Sequence, residues 1–327
     1  MFWAFIWAFF SLPAGATEIL QYELAELEQP GPPSFVHIGE IVDLPRFHKI
    51  ASPLGIVNGT KASSSEFPAV VLLGGYSNSY YTFFCSGTLI HEKWVLTASH
   101  CLTDDVIDPI QDAGYQLTVF WGSDIVNNGY VDKINMSAIY LHSSYDDTNW
   151  ENDIALIELT STKANGDIMA LNDDSLNSGW INETLTYVGF GITSSSADDS
   201  GTKRWVDTTL VNYDSYFVHI YDGTWNTSGY PNYDSTFGTC QGDSGGPGLY
   251  ETANGYTVAS VVSHGTTPCP GYGYDTRVDK YITWIDGYVP TIVTDPALIS
   301  PDTDTDTDTD TDTDTDTDSD SDVDADT

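Results

Sequence analysis

Cys240-Gln241-Gly242-Asp243-Ser244-Gly245-Gly246-Pro247 is the stretch on which the rest of the chain turns. Four of its eight residues are Gly or Pro, and a Ser sits between two glycines. Gly242 and Gly245 let the backbone turn tightly without a Cβ clash. The N–H groups of Gly242 and Ser244 can then converge on one point, as a tetrahedral oxyanion requires. A Ser exposed on such a turn acts as a nucleophile only beside a His that takes its proton and an acid that orients the His. Two upstream segments supply these partners. Thr97-Ala98-Ser99-His100-Cys101 carries the base, and Asp153-Ile154-Ala155-Leu156-Ile157-Glu158-Leu159 places an acid at the head of an apolar run.

Gly242-Asp243-Ser244-Gly245-Gly246 also satisfies G-x-S-x-G, the nucleophile elbow of α/β-hydrolases. Chain order separates the two readings. The elbow fold needs Ser, then acid, then His, on strands alternating with helices. Here the order is His100, Asp153, Ser244, and 83 residues follow the Ser. Short apolar or alternating runs recur between Gly, Asn, Asp and Ser clusters: Ala69–Leu73, Trp94–Ala98, Gln116–Trp121, Ile154–Leu159, Thr184–Phe190 and Tyr256–Val262. This spacing predicts an all-β barrel or sandwich. The one short helical pattern lies near Tyr281–Tyr288.

Four segments in order resemble the chymotrypsin/trypsin family of serine proteases (peptidase S1). They are Ile56-Val57-Asn58-Gly59, Cys85-Ser86-Gly87-Thr88-Leu89-Ile90 through His100-Cys101, the Asp153 run and the Ser244 turn. The resemblance covers residues 56–290. It implies two perpendicular six-stranded Greek-key β-barrels with a short C-terminal helix and the site in the cleft between them. It implies His100, Asp153 and Ser244 as catalytic residues, Gly242 and Ser244 as the oxyanion hole, and no cofactor. Four cysteines allow three pairings in principle; the resemblance selects Cys85–Cys101 and Cys240–Cys269. It further pairs the Asp243 carboxylate with a new ammonium on Ile56 once the leader is cut off. The expected partners are protein or peptide substrates, and the expected state is a monomer.

Three departures bear on this. Gly55 stands where the family usually carries a basic residue before the activation cleavage. Ser263-His264-Gly265 replaces the usual Ser-Trp-Gly, putting a polar ring in an apolar wall. The segment from Pro270 to Val278 is about two residues longer than usual. Counting back six from Ser244 gives Gly238 as the pocket floor, where trypsin-type enzymes carry Asp. Gly238, Ser263, Gly265 and Gly273 (with Gly271 as the other candidate for the last position) predict an open, uncharged pocket for Phe, Tyr, Leu or Met. The alternative is a basic preference supplied by Asp275. A weaker reading is an esterase, and another is an inactive protease-like binding module, which the complete His-Asp-Ser set disfavours.

The ends of the chain read differently. Phe2–Leu12 is apolar but too short to span a bilayer, and Ala14-Gly15-Ala16 follows it, so residues 1–16 predict an export signal. Residues 17–55 are an acidic, Pro-punctuated leader, predicting a zymogen that is secreted to the extracellular side. Residues 291–327 predict an acidic, low-complexity disordered tail, in which Asp302–Asp326 places thirteen Asp at alternate positions. The tail lacks the Gly and closing Glu of an EF-hand loop. No H-E-x-x-H or C-x-x-C supports a metal site. The net charge of −38 opposes binding to nucleic acid or to an anionic membrane. No span is expected in the mature chain. Asn58, Asn135, Asn182 and Asn226 lie in N-x-S/T sequons.

Overall fold

The computed structural model describes residues 42–43 and 56–299, apart from 79, 164–166, 198 and 233. The export signal, almost all of the leader and the Thr-Asp repeat lie outside the described residues. Strands follow one another as β1 (Val42–Asp43), β2 (Thr60–Lys61), β3 (Val70–Ser77), β4 (Tyr80–His91), β5 (Trp94–Thr97), β6 (Gln116–Trp121), β7 (Asp132–Leu141) and β8 (Ala155–Leu159). Then come β9 (Ala170–Leu171), β10 (Thr184–Gly189), β11 (Arg204–Tyr213), β12 (Phe217–Ile220), β13 (Pro247–Thr252), β14 (Gly255–Gly265) and β15 (Gly273–Arg277). Every apolar run quoted above falls on a strand.

Two closed six-stranded antiparallel barrels result. The first runs β4-β3-β6-β7-β8-β5 and closes through β4–β5; the second runs β10-β13-β14-β15-β12-β11 and closes through β10–β11. β1 adds to β4, β2 adds to β11, and β9 lies parallel to β14. Central strands here are buried along much of their length, as Val70–Leu73 and Leu89–Ile90 are, which explains why they read as continuous apolar runs. Burying each Leu, Ile or Phe of these runs contributes about 1.5–3 kcal/mol.

Each end of the domain is fastened to the opposite barrel. Ile56 is fully buried among Leu185, Tyr187, Val218 and Ile220 of the second barrel. The terminal helix (Ile282–Asp286) reaches back to the first, where Trp284 and Tyr281 pack on His142 and Tyr288 packs on Tyr140. Two other helices were not foreseen, Asp104–Asp112 and Ile125–Asn128. The first buries only Ile107 and Ile110 and carries Pro109 inside it, so no broad apolar stripe announced it. Beyond residue 290 the described chain keeps contact with the second barrel. Val293 C=O accepts from Leu171 N–H at 2.8 Å, and Asp295 caps an exposed 3-10 turn at Pro296–Leu298.

Candidate active site

His100 lies on a 3-10 turn, Ser99–Leu102, directly after β5. Cys85–Cys101 ties that turn to β4, and Ser99 Oγ donates to Ile154 C=O at 2.7 Å. The second disulfide, Cys240–Cys269, ties the Ser244 turn to the segment after β14. Closing loops of 16 and 29 residues stabilises by about 3 kcal/mol each in the chain-entropy account.

Asp153 is fully buried at the head of β8 and receives three hydrogen bonds. His100 N–H donates to Oδ1 at 2.9 Å, His100 Nδ1–H donates to Oδ2 at 2.7 Å, and Ser263 Oγ–H donates to Oδ2 at 2.6 Å. Burial alone would push the carboxyl pKa up. The adjacent imidazole and these bonds outweigh it and hold the carboxyl below its ordinary value. Thr276 Oγ1 donates to the Asp153 carbonyl at 2.9 Å, fixing the backbone as well.

The segment before Asp153 is conformationally costly: Trp150 and Asn152 have φ of 62° and 58°. Asn tolerates this region, whereas a bulky Trp does so only when its surroundings impose it. Trp150 is placed edge-on to His100, with centroids 5.3 Å apart, and stacks on His264 at 5.4 Å. Sequence reasoning passed over Trp150. Its neighbour Glu151 takes no part in the hydrogen bonds to His100 or Asp153.

On the other side, the Ser244 turn is held by backbone geometry. Gly242 and Gly245 have φ of 92° and 79°, and a Cβ on Gly245 would lie 2.0 Å from Thr97 Oγ1. No backbone hydrogen bond among the described residues uses the N–H of Gly242 or Ser244, so both remain available. Ser86 on β4 joins the barrels here. Its N–H donates to Ser244 C=O at 2.8 Å, its hydroxyl donates to Gly242 C=O at 2.9 Å, and it accepts from Phe190 N–H at 3.0 Å. Ser86 lay within a quoted motif, but nothing in its spacing betrayed this role. Among the described residues no hydrogen bond joins the Ser244 hydroxyl to His100. That contact commonly tightens only when substrate is present.

Asp243 is also fully buried, and accepts from Cys240 N–H at 2.9 Å and Gly191 N–H at 2.8 Å. Burial pushes its pKa up to about 7. Ile56 sits at φ 38°, and Val57 N–H donates to Gly238 C=O at 2.9 Å, bringing the start of the domain beside the expected pocket floor.

Of the pocket residues, Gly265 and Gly273 face each other across β14 and β15. Gly271 instead sits in the turn against Thr266. Gly238 approaches Pro270, with a built Cβ 3.2 Å from the ring. Ser263, expected on the pocket wall, turns its hydroxyl to Asp153. Asp275 is fully buried and its pKa is pushed up to about 7 by burial. The nearby Tyr187 hydroxyl and the Ser263 N–H pull the other way, and Asp275 Oδ2 lies 3.8 Å from where a Gly273 Cβ would be. Cys85, Cys101 and His100 form a cluster of metal-ligating types, but the two sulfurs are bonded to each other and offer no thiolate. No helix among the described residues is long and apolar enough to cross a membrane.

Two closed barrels, the first carrying a hydrogen-bonded His–Asp pair and the second a glycine-framed Ser, are the arrangement of a serine hydrolase class. A family model described as Trypsin matches residues 56–285. Trypsin Blo t 3 of Blomia tropicalis is 31% identical over 250 residues, covering 71% of this chain and 85% of that protein. Trypsin-1 of Astacus astacus is 28% identical, covering 70% and 98%. The Spaetzle-processing enzyme of Drosophila melanogaster is 28% identical over 70% of this chain, which spans 65% of that protein. Among solved structures, human heparin binding protein superposes with a TM-score of 0.55 at 23% identity, covering 71% of this chain and 96% of that one. The chain belongs to the trypsin family, and it is a serine endopeptidase of the S1 type.

Proposed function

We propose that Ser244 is the nucleophile, His100 the general base and acid, and Asp153 the group that orients His100. Ser244 Oγ attacks the scissile carbonyl carbon while its proton passes to His100 Nε2. The carbonyl oxygen becomes an oxyanion facing the N–H groups of Gly242 and Ser244. His100 then protonates the leaving amine, and water releases the acyl group by the same steps in reverse. The observation that carries this reading is the doubly bonded His100–Asp153 pair, held across from an uncommitted pair of N–H groups. A fluorophosphonate that labels Ser244 stoichiometrically and abolishes peptide cleavage tests it; cleavage that survives full labelling would count against it.

The chain is further proposed to be exported through residues 1–16 and made as a zymogen. Cutting between Gly55 and Ile56 frees an ammonium that pairs with Asp243. The burial of Ile56 beside Gly238 and the raised pKa of Asp243 support this. Cleavage at Arg46 or Lys49 would leave extra residues ahead of Ile56 and place the ammonium several residues from where it must insert, so trypsin is expected to activate poorly. Amino-terminal sequencing of the active form should begin at Ile56; any other terminus contradicts the mechanism.

For specificity, Gly238, Gly265 and Gly273 support a large apolar side chain before the cleaved bond, since burying Phe or Leu yields about 1.5–3 kcal/mol. The buried carboxyl of Asp275, with Oδ2 near Gly273, favours a second reading, in which a basic side chain pairs with that carboxylate. Matched peptides with Phe or Arg before the scissile bond decide between them. A kcat/KM about tenfold higher for Arg, 1.4 kcal/mol in the barrier, would establish the Asp275 reading.

A further inference from the structure

His264 lies one residue beyond Ser263, and its Nδ1 is 3.2 Å from the Ser263 hydroxyl oxygen. The direction of that bond follows from proton accounting. Asp153 carries a lowered pKa and is an ionised acceptor at working pH. Ser263 has one hydroxyl proton, and the shorter contact, 2.6 Å to Asp153 Oδ2, takes it. Toward His264 the hydroxyl is therefore an acceptor, so His264 Nδ1 carries the hydrogen. Burial keeps that imidazole neutral, with its pKa lowered to about 4. Its one hydrogen is thus committed to Nδ1.

The ring has little freedom to turn away. Tyr274 stacks on it at 4.9 Å with planes 5° apart, Trp150 covers another side at 5.4 Å, and Phe217 meets it edge-on at 5.1 Å. The charged or titratable groups around it are Asp153, His100, Asp214 and His219. Of these, His219 is engaged by Asp214 Oδ2 at 2.9 Å and the Tyr272 hydroxyl at 3.1 Å.

We propose that His264 is a positioning residue for the reaction, its Nδ1–H holding the Ser263 hydroxyl on Asp153 and so setting the basicity of His100. The run is His264 Nδ1–H to Ser263 Oγ–H to Asp153 Oδ2, which also receives His100 Nδ1–H. Donation into Ser263 polarises its O–H and strengthens its bond to the carboxylate. More of the Asp153 charge is then spent on Ser263, and His100 is less basic than it would be with Asp153 to itself. The inference rests on the assignment of Ser244, His100 and Asp153 given above.

The test follows the rate of Ser244 modification by phenylmethylsulfonyl fluoride, too small a reagent to need an extended peptide subsite, between pH 4.5 and 9. The enzyme is the active form of the full chain. His264→Phe keeps a ring and loses the donor, and should move the acid limb up by about half a pH unit. His264→Asn, whose amide can replace Nδ1–H, should restore the wild-type limb. In a Ser263→Ala background, His264→Phe should add no further shift, because the path runs through the hydroxyl. An equal shift in both backgrounds, no shift at all, or Asn behaving like Phe would overturn the proposal while leaving the nucleophile assignment intact. A wild-type enzyme unmodified at Ser244 would overturn that assignment and this inference with it.

Discussion

Asp153 and Asp243 are both fully buried carboxylates, one from each barrel, and the molecule treats them in opposite ways. Asp153 faces an imidazole and a hydroxyl, and its pKa is held down despite burial. Asp243 receives two backbone N–H groups, and burial wins, lifting its pKa to about 7. The same side chain at the same depth is stabilised as an anion only where its partners outweigh desolvation. The Asp153 carboxylate thus has its partners in the uncut chain, one of them Ser263 of the second barrel. The second-barrel half relies on backbone turns and a carboxylate suited to a cationic partner.

Among the changes that set the two acids apart, the largest expected effect lies on the Asp153 side. Asp153→Asn keeps the shape but removes the charge and allows the wrong His100 tautomer, so kcat/KM should fall about 10⁴-fold. Steady-state kinetics on a peptide substrate would show it, and a loss under tenfold would break the contrast between the two acids. On the opposite side, Gly245→Ala should cost several kcal/mol, because φ is 79° and the new Cβ would meet Thr97 Oγ1 at 2.0 Å. Urea denaturation measures this, and a wild-type midpoint would show that the turn can relax.

Proton linkage sharpens the comparison. Asp243 has its pKa raised to about 7 in the folded continuous chain. Stability from its retained proton is fully present below the unfolded carboxylate value and is lost as pH rises through about 7. Asp275 shifts in the same direction. For Asp153 the sign reverses: its contribution is present above the ordinary carboxylate value and is lost as pH falls through its lowered folded value. An uncut Ser244→Ala chain, unable to digest itself, should therefore unfold at lower urea at pH 8 than at pH 5. Asp243→Asn should narrow that gap, and an unchanged gap would remove Asp243 from the account. The smallest effect concerns the joint between the halves. Ser86→Ala leaves the Phe190 N–H without its acceptor, a cost of about 1–3 kcal/mol. Calorimetry would detect it, and a neutral substitution would mean that the joint rests on backbone bonds alone.

Much of this site was legible because its chemistry needs particular residue types in local runs. The glycines around Ser244, the apolar run after Asp153 and the Cys beside His100 are all local signals. What brings Ser86, Trp150 and His264 to the site is not local. Ser86 acts across 156 residues on Gly242, and Trp150 matters through an unusual φ and two ring contacts. His264 registered in the sequence only as a departure at the wall; its ring reaches the Ser263 hydroxyl at a register irregularity between Val262 and His264 in β14, which no residue pattern announces. The Asp104–Asp112 helix escaped notice because two buried isoleucines around an internal Pro leave too narrow an apolar face to read.

The most direct measurement is the kcat/KM of purified, correctly cut Ser244→Ala against a peptide that the wild-type enzyme cleaves. The account predicts a loss of about 10⁴- to 10⁶-fold, with His100→Ala added to it costing little more, because the residues act as a unit. Peptide-bond cleavage by Ser244→Ala at close to the wild-type rate would contradict it.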